Sequence, residues 1–297
     1  MNDSIGRRDF LIGAAAVLGE SQARAQQQPQ RDGSKLDRIG VMTLSFNSVL
    51  KSARYPDDPK RTLDILDAPQ MLATRYGVHH VEFQHSHFMS TEPSYLREVR
   101  GRLQQAKSHM NQICLEFGIL NVSSPDPVLR METIDLTKQW IDHAAAVGCP
   151  RVMLNQGTLA PEVRQAAIAT IKEIADYGRK KKVFVTMENR GYGPTATNPS
   201  WEVVVEVIKA AGIYANPDTG NFHDEASRAA GLRAMYPLSS GSSHVHYDPE
   251  RYSEANAIAI AKQVGYKGLY SIEATAANGP DPYVAVQTII HELLKDI

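Results

Sequence analysis

From residue 37 onward, short runs of β-favouring apolar residues alternate with longer stretches whose apolar residues recur every three or four positions. The short runs predict strands: RIGVMTLS (38–45), VHHVEFQH (78–85), ILNVSS (119–124), RVMLNQG (151–157), VFVTMENR (183–190), IYANPD (213–218), SHVHYD (243–248) and LYSIEA (269–274). The longer stretches predict helices, each with one buried face. They are DAPQMLATRYG, YLREVRGRLQQAKSHMNQICLEFG, METIDLTKQWIDHAAAVG, APEVRQAAIATIKEIADYGRKK, SWEVVVEVIKAAG, EASRAAGLRAMYP, SEANAIAIAKQVG and the closing DPYVAVQTIIHELLKDI. Gly77, Gly118, Gly148, Gly212 and Gly265 stand where a helical pattern stops, a place that favours a left-handed residue. Eight strand–helix units over residues 37–297 predict an α/β fold, a (βα)8 TIM barrel. An open doubly wound sheet would normally carry G-x-G-x-x-G after its first strand, and this chain has none there.

Residues 1–36 read differently. Arg7-Arg8, the apolar run from Phe10 to Leu18, and SQARA follow the charged, apolar, A-x-A order of an export signal cleaved after Ala25. The Arg7-Arg8 pair with Asp9, Phe10 and Leu11 resembles a bacterial twin-arginine signal, which implies passage through that export machinery into the periplasm. Its apolar core is too short to span a bilayer, which takes about 20 residues, and no cysteine stands near the cleavage point. No stable membrane anchor is expected. Residues 26–36 form a polar, flexible linker.

The chain has 32 basic and 33 acidic side chains, a formal charge of −1, and no long run of either sign. Nucleic acid calls for a basic stripe, so it is not an expected partner. The two cysteines, Cys114 in a helical pattern and Cys149 before a strand, read as small buried apolar residues. Sequence alone leaves a disulfide between them open. Apolar helical segments such as AAAVG and AIAIAKQVG fit packing against the barrel or packing in a homo-oligomer.

Candidate chemistry sits where strands end. Glu188 closes the fifth strand, Asp218 the sixth and Glu273 the eighth, while the seventh carries His244 and His246. The steps from Glu188 to Asp218, His246 and Glu273 are 30, 28 and 27 residues, each about one βα unit. In a barrel this brings the four to the C-terminal mouth, where barrel active sites lie. Clustered carboxylates resist ionising together unless a cation neutralises them. Two Glu, one Asp and one imidazole suit one divalent metal ion: Mn²⁺, Mg²⁺, Co²⁺ or Zn²⁺.

The pattern MENRG, DTGNF, HVHYD and YKGLYSIEA, with YGVHHVEF earlier, resembles the sugar phosphate isomerase/epimerase superfamily of xylose isomerase-like TIM barrels. The resemblance implies that Glu188, Asp218, His246 and Glu273 hold one divalent ion, with His244 as the alternative imidazole. It also implies that Glu188 and Glu273 are catalytic and move a proton alpha to a carbonyl. A DNA-repair branch of the superfamily carries three zinc ions, but ILNVSSPDP has no histidine and Asn221 occupies the position of another ligand. Arg251, Glu82, His85, Asn155 and His244 are expected to contact substrate.

The function expected is a metal-dependent isomerase or epimerase of an unphosphorylated sugar or keto-sugar. Two alternatives stay open. One is a metal-dependent lyase or dehydratase acting on an inosose or an oxidised (3-keto) glycoside. The other is a non-catalytic sugar-binding barrel.

Overall fold

The computed structural model describes residues 35–51, 55, 57–190 and 198–297. The expected export signal, most of the expected linker and the 191–197 part of the glycine-rich loop lie outside the described residues. The barrel unit runs from Lys35 to Ile297.

Eight strands form one sheet: β1 (Ile39–Met42), β2 (His80–Gln84), β3 (His109–Cys114), β4 (Arg151–Met153), β5 (Phe184–Glu188), β6 (Tyr214–Asn216), β7 (Ser242–Val245) and β8 (Leu269–Ile272). Their order is β6-β5-β4-β3-β2-β1-β8-β7, and every ladder is parallel. Between β6 and β7 the ladder reduces to two isolated bridges, Ala215 with Ser239 and Asp218 with His244. Around the strands lie α1 (Ala68–Tyr76), α2 (Pro93–Gln105), α3 (Pro127–Val147), α4 (Pro161–Lys181), α5 (Trp201–Ala211), α6 (Glu225–Met235), α7 (Glu254–Gln263) and α8 (Pro282–Asp296). This is the (βα)8 TIM barrel expected from the periodicity.

The helices bury the faces that their spacing marks out. In α4, Ala167, Ile168, Ile171, Ile174 and Ala175 are buried; in α7, Ala257, Ile258, Ile260 and Ala261 are. The AIAIAKQVG segment therefore packs its apolar residues inward. Several helices start on a side-chain cap that satisfies an otherwise orphaned amide, as Asp126, Asp224 and Asp281 do by accepting from Val128, Ser227 and Tyr283. Among the described residues no helix is long and apolar enough to cross a membrane.

One unit departs from expectation. The second helix ends at Gln105, not at Gly118, and the third strand is His109–Cys114 rather than ILNVSS, which forms turns. Cys114 therefore ends a strand, not a helical segment. The helix is stopped by Lys107, which takes φ 52° itself, so no glycine marks the boundary in the sequence. Cys114 and Cys149 are both free and buried.

Candidate active site

Strand alternation places the chemistry. Thr186 and Glu188 share a strand face, as do Ser271 and Glu273, and His244 and His246. Glu188 is the last residue of β5, His244 the third of β7, and Asp218, His246 and Glu273 follow the ends of β6, β7 and β8. One ligand-type atom from each of Glu188, Asp218, His244 and Glu273 lies within 4.8 Å of the others.

His244 is the hub. Its Nδ1 meets Glu188 Oε1 at 2.5 Å and Glu273 Oε2 at 3.4 Å. Its Nε2 meets Glu82 Oε1 at 2.8 Å. Glu82 is fully buried below it and accepts from Gln112 Nε2 (3.0 Å), Ser271 Oγ (2.7 Å) and Asn111 Nδ2 (3.4 Å). A buried carboxylate on the far nitrogen fixes the ring's orientation and raises its basicity, as outer partners of metal-binding histidines do. His246 stands nearer solvent, with Nδ1 2.7 Å from Asp218 Oδ2 and Nε2 3.3 Å from Glu273 Oε1.

Each acid is held differently. Asp218 Oδ1 accepts the amides of Gly220 (2.7 Å) and Asn221 (3.2 Å), leaving Oδ2 for the imidazole side. Asn189 brackets the same residue: its Oδ1 accepts Asp218 N–H at 2.9 Å, and its Nδ2 donates to Asp218 O at 3.1 Å. Glu188 Oε2 lies 3.0 Å from Arg190 Nε, and Arg190 also bonds Glu116. Among the described residues Glu273 has only the two longer imidazole contacts, and its side chain is more exposed than those of Glu188 and Asp218. Gly220 cannot be anything larger, since a Cβ there would sit 2.3 Å from the Cβ of His246.

The electrostatics follow from this crowding. Burial pushes the Glu188 carboxyl up, but His244 and Arg190 outweigh it and bring it down to about 2. Burial, with Glu188 and Glu273 nearby, raises Asp218 despite His246. Burial disfavours a charged ring, yet the carboxylates lift both imidazoles well above 6.5: Glu82 and Glu188 for His244, Asp218 and Glu273 for His246. With the rings neutral, as metal ligation requires, Glu82, Glu188, Asp218 and Glu273 have, among the described residues, only Arg190 as a cation in direct contact, and it is shared with Glu116. That excess of buried negative charge, with hard oxygen and imidazole donors converging, fits a divalent cation.

Glu188, Glu273 and both imidazoles open into a cavity of about 350 Å³, lined also by Met42, Leu44, Gln84, Cys114, Glu116, Met153, Arg190 and Asn221. A family model for the xylose isomerase-like TIM barrel matches residues 71–293. This chain belongs to the xylose isomerase-like TIM barrel family. No curated protein matches it. Among solved structures, D-psicose 3-epimerase with D-tagatose from Clostridium cellulolyticum H10 aligns at TM-score 0.72 and 12% identity, over 87% of this chain and 99% of that one. D-allulose 3-epimerase from Methylomonas sp. in complex with D-allulose aligns at 0.63 and 17%, over 86% and 90%. A xylose isomerase domain protein from Planctomyces limnophilus aligns at 0.63 and 15%, over 87% and 95%. At these identities the likeness concerns the fold.

Within this xylose isomerase-like barrel, the expected side chains divide. Glu188, Asp218 and Glu273 converge, and the imidazole in the tightest group is His244, the alternative, rather than His246. Four residues expected to touch substrate do not line the cavity. Glu82 is consumed below the site by protein donors. His85 accepts Glu116 N–H at 3.0 Å between Phe117 and Trp140, and burial lowers it to about 4. Asn155 donates to Gly118 O, joining two loops. Arg251 donates to Phe222 O and Tyr252 Oη. The cavity residues that sequence reasoning missed follow from alternation: Gln84 is two beyond Glu82, and Met153 two beyond Arg151. Cys114 and Glu116 were hidden by the misplaced third strand.

Proposed function

We propose that this protein is a divalent-metal-dependent isomerase or epimerase acting on an unphosphorylated sugar or keto-sugar, exported to the periplasm with its signal cleaved after Ala25. The observation that carries the reading is the convergence of Glu188, Asp218, His244 and Glu273 on one point at the barrel mouth. Family membership and the sugar 3-epimerases among the structural neighbours support it.

Glu188, Asp218, Glu273 and one or both imidazoles of β7 would hold the ion. When bound, it supplies Lewis-acid polarisation of a carbonyl and acidifies the adjacent C–H. Glu188, pinned by His244 and Arg190, anchors the centre and rests ionised, taking up a proton only in turnover. Glu273, with longer contacts and partial exposure, is the carboxylate best able to take a proton from the carbon beside the carbonyl and return it. Return to the opposite face inverts that carbon and needs a second group, for which Glu188 is placed; return to the neighbouring carbon interconverts aldose and ketose. Arg190, fixed between Glu116 and Glu188, faces the same cavity and can orient a hydroxyl or carbonyl oxygen.

The test combines metal analysis of purified protein with solvent deuterium incorporation across a panel of ketoses and 3-keto sugars. Bound divalent metal and one exchanged carbon-bound hydrogen, without loss of mass elsewhere, are the expected results. Loss of water or of an aglycone would instead mark a lyase. Protein that binds no divalent ion, or exchanges nothing, would sink the proposal. The mass of the N-terminus of protein recovered from the cell envelope checks the export step.

A further inference from the structure

The weakest join in the barrel lies beside its most demanding residues. Between β6 and β7 the regular ladder is missing, and the strands meet near the site through two backbone hydrogen bonds: His244 N–H to Pro217 O (2.8 Å) and Thr219 N–H to His244 O (3.1 Å). Asp218 lies on one side of this seam; His244 and His246 lie on the other. Their spacing therefore depends on what fastens the β6–α6 loop to the β7–α7 loop.

The fastening is a guanidinium. Arg228, in the first turns of α6, is fully buried. Its Nε donates to Thr219 O at 2.6 Å, directly after Asp218 in the chain. Its Nη1 donates to Ser253 O at 2.9 Å and reaches Glu225 Oε2 at 3.2 Å. Its Nη2 meets Glu254 Oε1 at 2.8 Å, and its guanidinium carbon lies 4.8 Å from the centre of the Tyr252 ring. Tyr252 Oη then donates to Phe222 O, returning to the first loop. One planar cation thus ties the carbonyl after Asp218 to the loop after His246, a geometry that a flexible lysine does not reproduce.

We infer that Arg228, with Glu254 and Tyr252, is a positioning device for the metal centre, holding Asp218 in register with His244 and His246 across the open seam. The inference rests on the metal-dependent reading above. None of the three residues lines the cavity, so the effect reaches substrate only through the ligand geometry. Outer partners of metal ligands commonly change affinity by about 10- to 100-fold.

The experiment is Mn²⁺ titration, by electron paramagnetic resonance of free ion, of the full chain and variants well below their melting temperatures. Replacing both charged partners, Arg228→Met with Glu254→Met, leaves no unpaired buried charge, which favours retention of the fold. The expected result is a native circular dichroism spectrum with Mn²⁺ affinity reduced roughly tenfold or more, and Arg228→Lys intermediate. Turnover at saturating Mn²⁺ should fall through kcat more than KM. A folded double variant with wild-type Mn²⁺ affinity overturns the inference and leaves the metal-dependent reading standing. Should the double variant not fold, Tyr252→Phe removes one hydrogen bond across the loops, and wild-type affinity there overturns it equally. Wild-type protein that binds no Mn²⁺ or other divalent ion overturns both readings.

Discussion

Around the barrel mouth, β5 to β8 present three carboxylates and two imidazoles, while β1, β3 and β4 present Met42, Leu44, Cys114 and Met153. The first group is held by backbone amides, Asn189, Arg190 and the buried Glu82. In the second, Met42, Cys114 and Met153 pack together as a small cluster against Leu44. The comparison teaches that most of the cavity's charge lies in one arc, with Glu116 beyond β3 drawn onto Arg190, and faces a soft apolar one. An apolar wall keeps the local dielectric low, so the acids feel one another and any bound cation strongly. Sulfur-bearing side chains also adapt their shape, so that wall specifies volume more than orientation.

The sharpest way to break this contrast is Glu273→Gln. It removes the least restrained carboxylate and should cut turnover by about 10²- to 10⁴-fold, with little change in melting temperature. Glu82→Ala acts beneath the same arc. It strands His244, Gln112 and Ser271 without their acceptor, and should lower unfolding free energy by about 3–5 kcal/mol in urea titrations.

Acid should weaken the fold outside the charged arc. Burial, with His85 and Arg61 nearby, lowers His87 from 6.5 to about 4, so the folded state keeps this ring neutral where the unfolded chain protonates it. Stability is fully present above pH 6.5 and is lost as pH falls toward 4, by about 3 kcal/mol from this group. Urea midpoints at pH 7 and pH 5 measure it. Smallest of all, Met153→Leu on the apolar arc should cost less than about 1.5 kcal/mol and leave Mn²⁺ affinity unchanged.

Much of this was readable from spacing. Seven of the eight strands carry their own apolar signature, and the acids at strand ends fall one βα unit apart, so barrel and acid cluster emerge together. The third unit hid because Lys107 adopts a conformation usually left to glycine and because HMNQIC has the mixed polarity of a barrel-lining strand. Asn111 and Gln112 are buried against Glu82, and Gln112 also accepts from Thr186. Spacing along one strand also could not choose between His244 and His246, which share a face. The choice depends on Glu82, 162 residues away in sequence, and on the depth of each ring in the barrel. Glu82, His85, Asn155 and Arg251 lie off the cavity lining for a related reason: inward or mouth-proximal position does not reveal which groups neighbouring strands and loops have already claimed.

The gap between β6 and β7 makes this cylinder, in hydrogen-bonding terms, a curled sheet with two edges turned toward each other. Such edges invite pairing with a second chain and seed aggregation when a protein opens. Here β6 is only three residues long and is followed at once by Pro217, which has no amide to offer, and by the charged Asp218. The acid placed for chemistry therefore also makes that strand a poor template for self-association.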